Sequence, residues 1–157
     1  MMTRIFGIII ATIVCLGAGF LGSLATMPSI PTWYVALNKP PFNPPNWLFG
    51  PVWIILYIMM GIAAYLIFEK GWDKKEVKLS LMHFGFQLVF NVAWSIVFFG
   101  LHSPWGAFIV IVILWLLILE TIIRFGKLSK PAAWLLVPYI LWVSFASILN
   151  LAVALLN

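Results

Sequence analysis

The chain has 157 residues, of which 64% are hydrophobic and only 8% are charged. An ordinary soluble domain is about 25% charged, so this composition excludes a water-soluble globule, and its apolar, aromatic-rich character excludes a disordered chain. The net charge of +5 does not indicate a nucleic-acid partner, because the basic residues lie between long apolar runs, as loop charges do in membrane proteins.

Five apolar stretches are long enough, or nearly so, for a bilayer-spanning helix, which needs roughly 20 residues. They comprise residues 5–26, 46–68, 79–101, 107–123 and 132–156. Each is far longer than a buried strand, so length favours a helix in every case. We therefore predict an all-α integral membrane protein: a single domain over residues 1–157, built as a five-helix transmembrane bundle with a proline- and aromatic-rich first loop at residues 27–45.

Positive charge is distributed unequally between the two ends of such a bundle. Of the nine Lys and Arg residues, eight lie at the N-terminus and in the second and fourth loops, and only Lys39 lies in the first loop. Because Lys and Arg accumulate in cytoplasmic loops, we expect the N-terminus inside and the first loop and the C-terminus outside.

The first helix contains Gly17, Gly19 and Gly22 in the spacing of a dinucleotide-binding fingerprint. That fingerprint requires a preceding strand and a βαβ unit, which a spanning helix does not provide. We interpret these glycines as small residues that allow a neighbouring helix to approach closely, either within the chain or in a second subunit.

The first loop is dense in proline, with tryptophans at positions 33 and 47 close by. Proline fixes its own φ angle and makes the preceding residue extended, so we expect a stiff segment. Two interpretations remain open: the aromatic side chains form a belt at the membrane interface, or the loop forms a rigid lid over a cavity. We expect Trp105, in the turn before the fourth helix, to contact such a lid.

The third helix carries His83, Gln87, Asn91 and Ser95 at intervals of four residues. They form one polar stripe, which should face the bundle interior because polar groups are costly in lipid. The stripe either hydrogen-bonds neighbouring helices, at about 0.6 kcal/mol per contact, or provides polar anchors, with Asn91 beside Trp94, in an apolar pocket.

On the fifth helix, the large Trp142 lies one turn before the small Ala146 on the same face, so we expect the indole ring to project beside an open space. Ordinary helix packing is the alternative. At about 1.5 Å per residue, Trp53 lies ~10 Å, Asn91 and Ala146 ~15 Å and Asn150 ~9 Å below the outer ends of their helices. These residues predict an aromatic cavity beneath the first loop that suits a flat, apolar ligand with one or two polar groups.

Conventional catalysis has little support. The four acidic residues, Glu69, Asp73, Glu76 and Glu120, all fall at the predicted cytoplasmic side. The sequence contains no metal-ligand spacing, no P-loop and no catalytic triad, so we expect no metal and no required cofactor.

Three blocks of residues, in order along the chain, resemble the TspO/MBR family, also known as translocator proteins, tryptophan-rich sensory proteins or peripheral-type benzodiazepine receptors. The most specific block is WYVALNKPPFNPPNW at residues 33–47, continued by GPVW at 50–53. The second block includes Gln87, Asn91 and Trp94, and the third includes Tyr139, Trp142, Ala146, Leu149 and Asn150.

The resemblance implies a five-helix bundle, usually a homodimer, that binds porphyrins such as protoporphyrin IX and isoquinoline-carboxamide or benzodiazepine-type ligands. The family's pocket positions correspond to Trp33, Trp47, Gly50, Trp53, Tyr57, Asn91, Trp94, Trp105, Trp142, Ala146 and Leu149. We add Gln87 and Asn150 as candidate ligand-binding residues. Animal members carry a sterol motif with a tyrosine and a basic residue near the C-terminus. Residues 151–157 contain neither, so we expect a bacterial type of member in the cytoplasmic membrane with reduced sterol binding.

Three functional hypotheses stay open. The protein is a porphyrin receptor or carrier, with porphyrin as ligand; or it degrades porphyrin in light and oxygen, for which the resemblance implies Trp53 and Trp142 as catalytic residues; or it is a structural or interaction protein whose polar stripe only joins helices.

Overall fold

A computed structural model describes all residues, 1–157, and contains helices but no strands. The main helices are α1 (Met2–Ser29), α2 (Asn46–Phe68), α3 (Lys75–Ser95), α4 (Pro104–Leu128), α5 (Lys130–Leu135) and α6 (Val137–Leu156). A 3₁₀ turn at Tyr34–Ala36 lies in the first loop, and a π-helical turn at Ile96–Gly100 extends α3. Five helical segments, the last formed by α5 and α6, are long and apolar enough to cross a membrane, which confirms the predicted fold class.

The two ends of the bundle differ in chemistry. At one end, which we name the loop end, the C-terminal Asn157 hydrogen-bonds the backbone of Asn38 in the first loop. At the opposite, basic end, Arg4 pairs with Glu69 at 3.0 Å between guanidinium and carboxylate. The N-terminus therefore lies at the basic end, and the C-terminus and the first loop share the loop end.

Glycines bring α1 and α2 into close contact toward the basic end. A Cβ atom added to Gly61 would lie 2.5 Å from the backbone Cα of Thr12, and one added to Gly19 would lie 2.4 Å from the ring of Tyr57. Gly22 faces Ser95 of α3 in the same way, at 3.1 Å. At these positions the small residues serve helix packing within the chain, whereas Gly17 faces open space.

The fifth span is not one continuous helix. It stops at Leu135 and resumes at Val137, with Pro138 in the first turn of α6, where the missing backbone N–H is tolerated. The sequence predicts a kink at this proline, and the structure has a break at Leu136.

The π-helical turn was not predicted. Leu101 N–H donates to the carbonyl of Ile96 at 2.8 Å, so one extra residue is accommodated in the turn. As a result, the consecutive residues Phe98 and Phe99 both face the first loop and pack on Tyr34, with ring centroids 6.4 and 5.6 Å away.

Candidate functional site: an aromatic cavity

A cavity of about 570 Å³ lies in the loop-end half of the bundle, between α1, α2, α3 with its π-helical turn, and α6. Its volume falls within the range of roughly 300–1,000 Å³ that small-molecule sites occupy. Of the 25 residues that line it, 17 are hydrophobic, and none is Asp, Glu, Lys, Arg or His. A ligand portion held inside is therefore uncharged or neutralised, because no opposite charge is available to stabilise it.

Most of the residues nominated from the sequence lie on the cavity wall. They are Trp47, Gly50, Trp53, Tyr57, Asn91, Trp94, Trp142, Ala146, Leu149 and Asn150. Residues of α2, α3 and α6 thus meet at one cavity, as their predicted depths indicate.

Three nominated residues do not line the cavity. Trp33 stacks on His102, with ring centroids 4.5 Å apart, and holds the first loop to the turn before α4. Gln87 is buried one turn beyond Asn91. Trp105 is 53% exposed on α4, a helix that contributes no residue to the cavity.

The floor of the cavity is a chain of buried hydrogen bonds. The Tyr57 hydroxyl donates to Asn91 Oδ1 at 2.6 Å, Asn91 Nδ2 donates to the Tyr139 oxygen at 2.8 Å, and the Tyr139 hydroxyl donates to Gln87 Oε1 at 2.7 Å. Gln87 Nε2 is buried without a partner. Gln87 and Asn91 of the polar stripe thus hydrogen-bond neighbouring helices, whereas His83 bonds the Leu79 carbonyl of its own helix. The Asn91 amide is engaged by tyrosines through both its oxygen and its nitrogen.

Asn150 is engaged as well. Its Oδ1 accepts from the indole N–H of Trp94 at 2.8 Å, and its Nδ2 donates to the carbonyl of Pro104 at 2.8 Å. The indole N–H groups of Trp53 and Trp142 donate to no atom of the chain, since Trp94 and Trp115 are the tryptophans whose N–H is hydrogen-bonded. The free indole N–H groups of Trp53 and Trp142 can therefore donate to a ligand with acceptor atoms.

Ring packing holds the free indoles in place. Trp53 stacks on Tyr57 at 5.6 Å and meets Tyr139 edge-on at 6.2 Å between centroids. Trp142 meets Phe49 edge-on at 6.0 Å and lies 5.5 Å from Phe145. Such pairs contribute about 0.5–1.5 kcal/mol beyond area burial, so the cavity wall is preorganised.

The first loop closes the loop end of the cavity. Tyr34 lines the cavity, and its hydroxyl donates a hydrogen bond to Asn43 Oδ1 at 3.1 Å. Burial raises the pKa of this hydroxyl, and the hydrogen bond to Asn43 opposes part of that rise. Lys39 Nζ donates to the Tyr34 and Leu37 carbonyls at 2.9 and 3.1 Å. These contacts favour a rigid lid over an interfacial aromatic belt alone.

Sequence reasoning missed the wall that α1 contributes. This wall comprises Leu16, Gly19, Phe20, Ser23, Thr26 and Met27. The helix has no tryptophan, and the hydroxyls of Ser23 and Thr26 bond carbonyls of their own helix, as they could also do facing lipid, so no local signal distinguished this face. Phe98 and Phe99 also line the cavity, and their paired orientation depends on the π-helical turn.

The fold and the site together define an integral membrane protein of five spanning segments that encloses an aromatic cavity near one end. The sequence matches the profile of the TspO/MBR family over residues 11–156, and the chain belongs to this family.

Relatives from distant organisms align over most of this chain. It is 48% identical to the tryptophan-rich protein TspO of Chlorobaculum tepidum over 91% of this chain and 90% of that protein. It is 43% identical to the protein of the same description in Archaeoglobus fulgidus, over 98% and 99%. It is 38% identical to the translocator protein of Ovis aries, over 88% and 83%.

Proposed function

We propose that the protein is a membrane receptor or carrier that binds porphyrins, with protoporphyrin IX as the reference ligand, and isoquinoline-carboxamide or benzodiazepine-type compounds. The observation that carries this proposal is the cavity of about 570 Å³ walled by Trp53, Trp94 and Trp142, with no charged lining residue. A flat aromatic ligand fits such walls because stacking and apolar burial dominate its binding. The free indole N–H groups provide donors for ring substituents.

Titration of the purified protein with protoporphyrin IX tests the proposal. Indole fluorescence should fall along a saturable curve, and the visible spectrum of the porphyrin should change in parallel. Quenching that rises linearly without saturation would show only partition into detergent, and the proposal would then be wrong. An isoquinoline carboxamide should displace the bound porphyrin if both occupy the same cavity.

A second candidate function is light- and oxygen-dependent degradation of the bound porphyrin. Trp53 and Trp142 line the same cavity, and both have free N–H groups. An indole close to an excited porphyrin is positioned to donate an electron to it, with dioxygen as the co-reactant. Closure by the first loop excludes water from this reaction.

The double variant Trp53→Phe with Trp142→Phe tests the degradation hypothesis. At saturating porphyrin, we expect the illuminated loss of bound porphyrin absorbance to slow at least about tenfold, a barrier change of ~1.4 kcal/mol. The control is Trp134→Phe, which removes an indole that is 70% exposed and lies outside the cavity. Equal rates in the double variant and the control would exclude these indoles as the electron source.

The structural hypothesis is tested at the floor of the cavity. Asn91→Ala leaves the buried hydroxyl of Tyr57 without its acceptor, at a cost of about 1–3 kcal/mol of unfolding free energy. Because tyrosines already engage the Asn91 amide, we expect porphyrin affinity to change less than about threefold.

The matched control is Ser95→Ala, on the same stripe, because this hydroxyl has no hydrogen bond to lose. Thermal unfolding in detergent gives the stability of both variants. A large affinity loss in Asn91→Ala at unchanged stability would make Asn91 a ligand anchor. Stability loss in a protein that binds no porphyrin at all would favour the structural hypothesis.

We further propose a homodimer in a bacterial cytoplasmic membrane, with the N-terminus inside. The family resemblance supports the dimer, and the unequal distribution of Lys and Arg supports the orientation. The mass of the detergent-solubilised protein tests the dimer. Reporter fusions to the C-terminus test the orientation, and cytoplasmic reporter activity would contradict it.

A further inference from the structure

The cavity is sealed along most of its seams. Between α1 and α3, Gly22 packs closely on Ser95. Between α2 and α6, the rings of Phe49 and Trp142 meet edge-on at 6.0 Å. Between α3 and α6, the hydrogen bond from Trp94 to Asn150 closes the wall, and the tyrosine–asparagine chain closes the floor.

The seam between α1 and α2 differs between its two halves. Toward the basic end it is closed by glycine contacts as far as the pair Gly19 and Tyr57. Beyond that pair the two helices line opposite sides of the cavity, and the lining residues there are exposed. On α1, Phe20 is 62% and Met27 67% exposed, and on α2, Trp47 is 71% and Ile54 53% exposed. Residues that both line a cavity and face outward mark its mouth.

The first loop, by contrast, is held at several points. Trp33 stacks on His102, and the Ser29 hydroxyl donates to the carbonyl of Phe99. Asn38 N–H donates to Asn157 Oδ1 at 3.1 Å, and Asn157 Nδ2 donates back to the Asn38 carbonyl at 2.8 Å. Opening this loop would break aromatic and hydrogen-bond contacts together, whereas Phe20 of α1 and Trp47 of α2, at the mouth, are already mostly exposed.

We propose that the ligand enters and leaves sideways, from the bilayer, through the mouth between α1 and α2, while the first loop stays closed. This inference rests on the proposed porphyrin-binding function. The mouth is apolar and carries no charged side chain. It therefore selects membrane-dissolved ligands whose apolar ring system enters first and whose charged substituents, where present, stay outside the cavity.

The test uses Ser23→Phe, because Ser23 lines the mouth on α1 and its hydroxyl bonds only the carbonyl of Phe20 in its own helix. The matched control is Leu24→Phe, one position along, where the side chain is 59% exposed and outside the cavity. The proteins are placed in lipid nanodiscs, and protoporphyrin IX association is followed by stopped-flow indole quenching.

We expect Ser23→Phe to slow both association and dissociation at least about tenfold, and Leu24→Phe to change each less than about twofold. A narrowed mouth slows both association and dissociation. A phenyl ring that only crowds the cavity would slow association and speed dissociation, and that result would overturn the proposed lateral route. Unchanged rates in Ser23→Phe would overturn it too, but leave the proposed function intact. Absence of saturable quenching in the unmodified protein would instead overturn the proposed function.

Asn157→Ala tests the fixed loop. It removes the side chain that ties Asn38 to the end of α6, and we expect association rates within about twofold of the unmodified protein. Faster association in this variant would show that ligand passes under a loosened first loop, and the lateral route would be wrong.

Discussion

Gly61→Ala is expected to destabilise the bundle by about 3 kcal/mol, because the new methyl group cannot be accommodated without moving α1 away from α2. The Cβ atom would lie 2.5 Å from Thr12 Cα and 2.7 Å from Thr12 N, and backbone atoms cannot rotate out of the way as a side chain can. Loss of this contact also separates the helices on either side of the cavity mouth. Thermal unfolding in detergent, followed by circular dichroism, measures the effect.

Gly17→Ala is the control for this prediction. Gly17 lies on α1 with no atom within 4 Å of its added Cβ, so the variant should keep or slightly gain stability from the higher helix propensity of alanine. If Gly61→Ala is as stable as Gly17→Ala, the close approach of α1 and α2 is not what holds this half of the bundle together.

The double variant Trp142→Phe with Ala146→Leu is expected to weaken protoporphyrin IX binding about 30-fold, which corresponds to ~2 kcal/mol. Phenylalanine removes the free indole N–H and part of the stacking surface, and leucine projects into the space beside it. Both residues lie on α6, on the wall opposite α1. Equilibrium fluorescence titration measures the affinity.

Two measurements make this result interpretable. Thermal unfolding should show the double variant within about 1.5 kcal/mol of the unmodified protein, because both exchanges keep apolar side chains. Trp134→Phe, at an exposed position outside the cavity, should bind porphyrin with unchanged affinity. A double variant that is folded and binds porphyrin normally would remove the cavity as the binding site.

The illumination experiment and the ligand-entry experiment address two different steps at the same cavity, photochemistry and entry through the mouth. Entry concerns the mouth, which Ser23 of α1 and Ile54 of α2 flank, and photochemistry concerns the indoles of Trp53 and Trp142. A variant that blocks entry leaves those indoles in place, so slow loading and slow degradation are separable once porphyrin is bound.

Local composition was sufficient for the spans and for the burial of Gln87 and Asn91, the two middle residues of the polar stripe. A bilayer offers no hydrogen-bond partners, so long apolar stretches must be helices, and their count follows from length alone. Because a polar side chain is costly in lipid, the sequence predicts Asn91 in the bundle interior, where it is buried. The span boundaries were less accurate: α4 runs on to Leu128, because the charged Arg124, paired with Glu120 at 3.0 Å, continues the helix beyond its apolar part.

Which polar groups remain free for a ligand was decided by tertiary structure. Asn91 and Asn150 are natural anchors by residue type, yet both amides are occupied by partners 34 to 56 residues away along the chain, Tyr57, Tyr139 and Trp94. The indole donors of Trp53 and Trp142 stay free, and α1 forms one side of the mouth, although its glycine spacing predicted close helix packing and not a cavity wall. The number of spans and the buried faces are thus properties of the sequence by itself. The free donors and the opening depend on distances between helices, which a linear pattern does not encode.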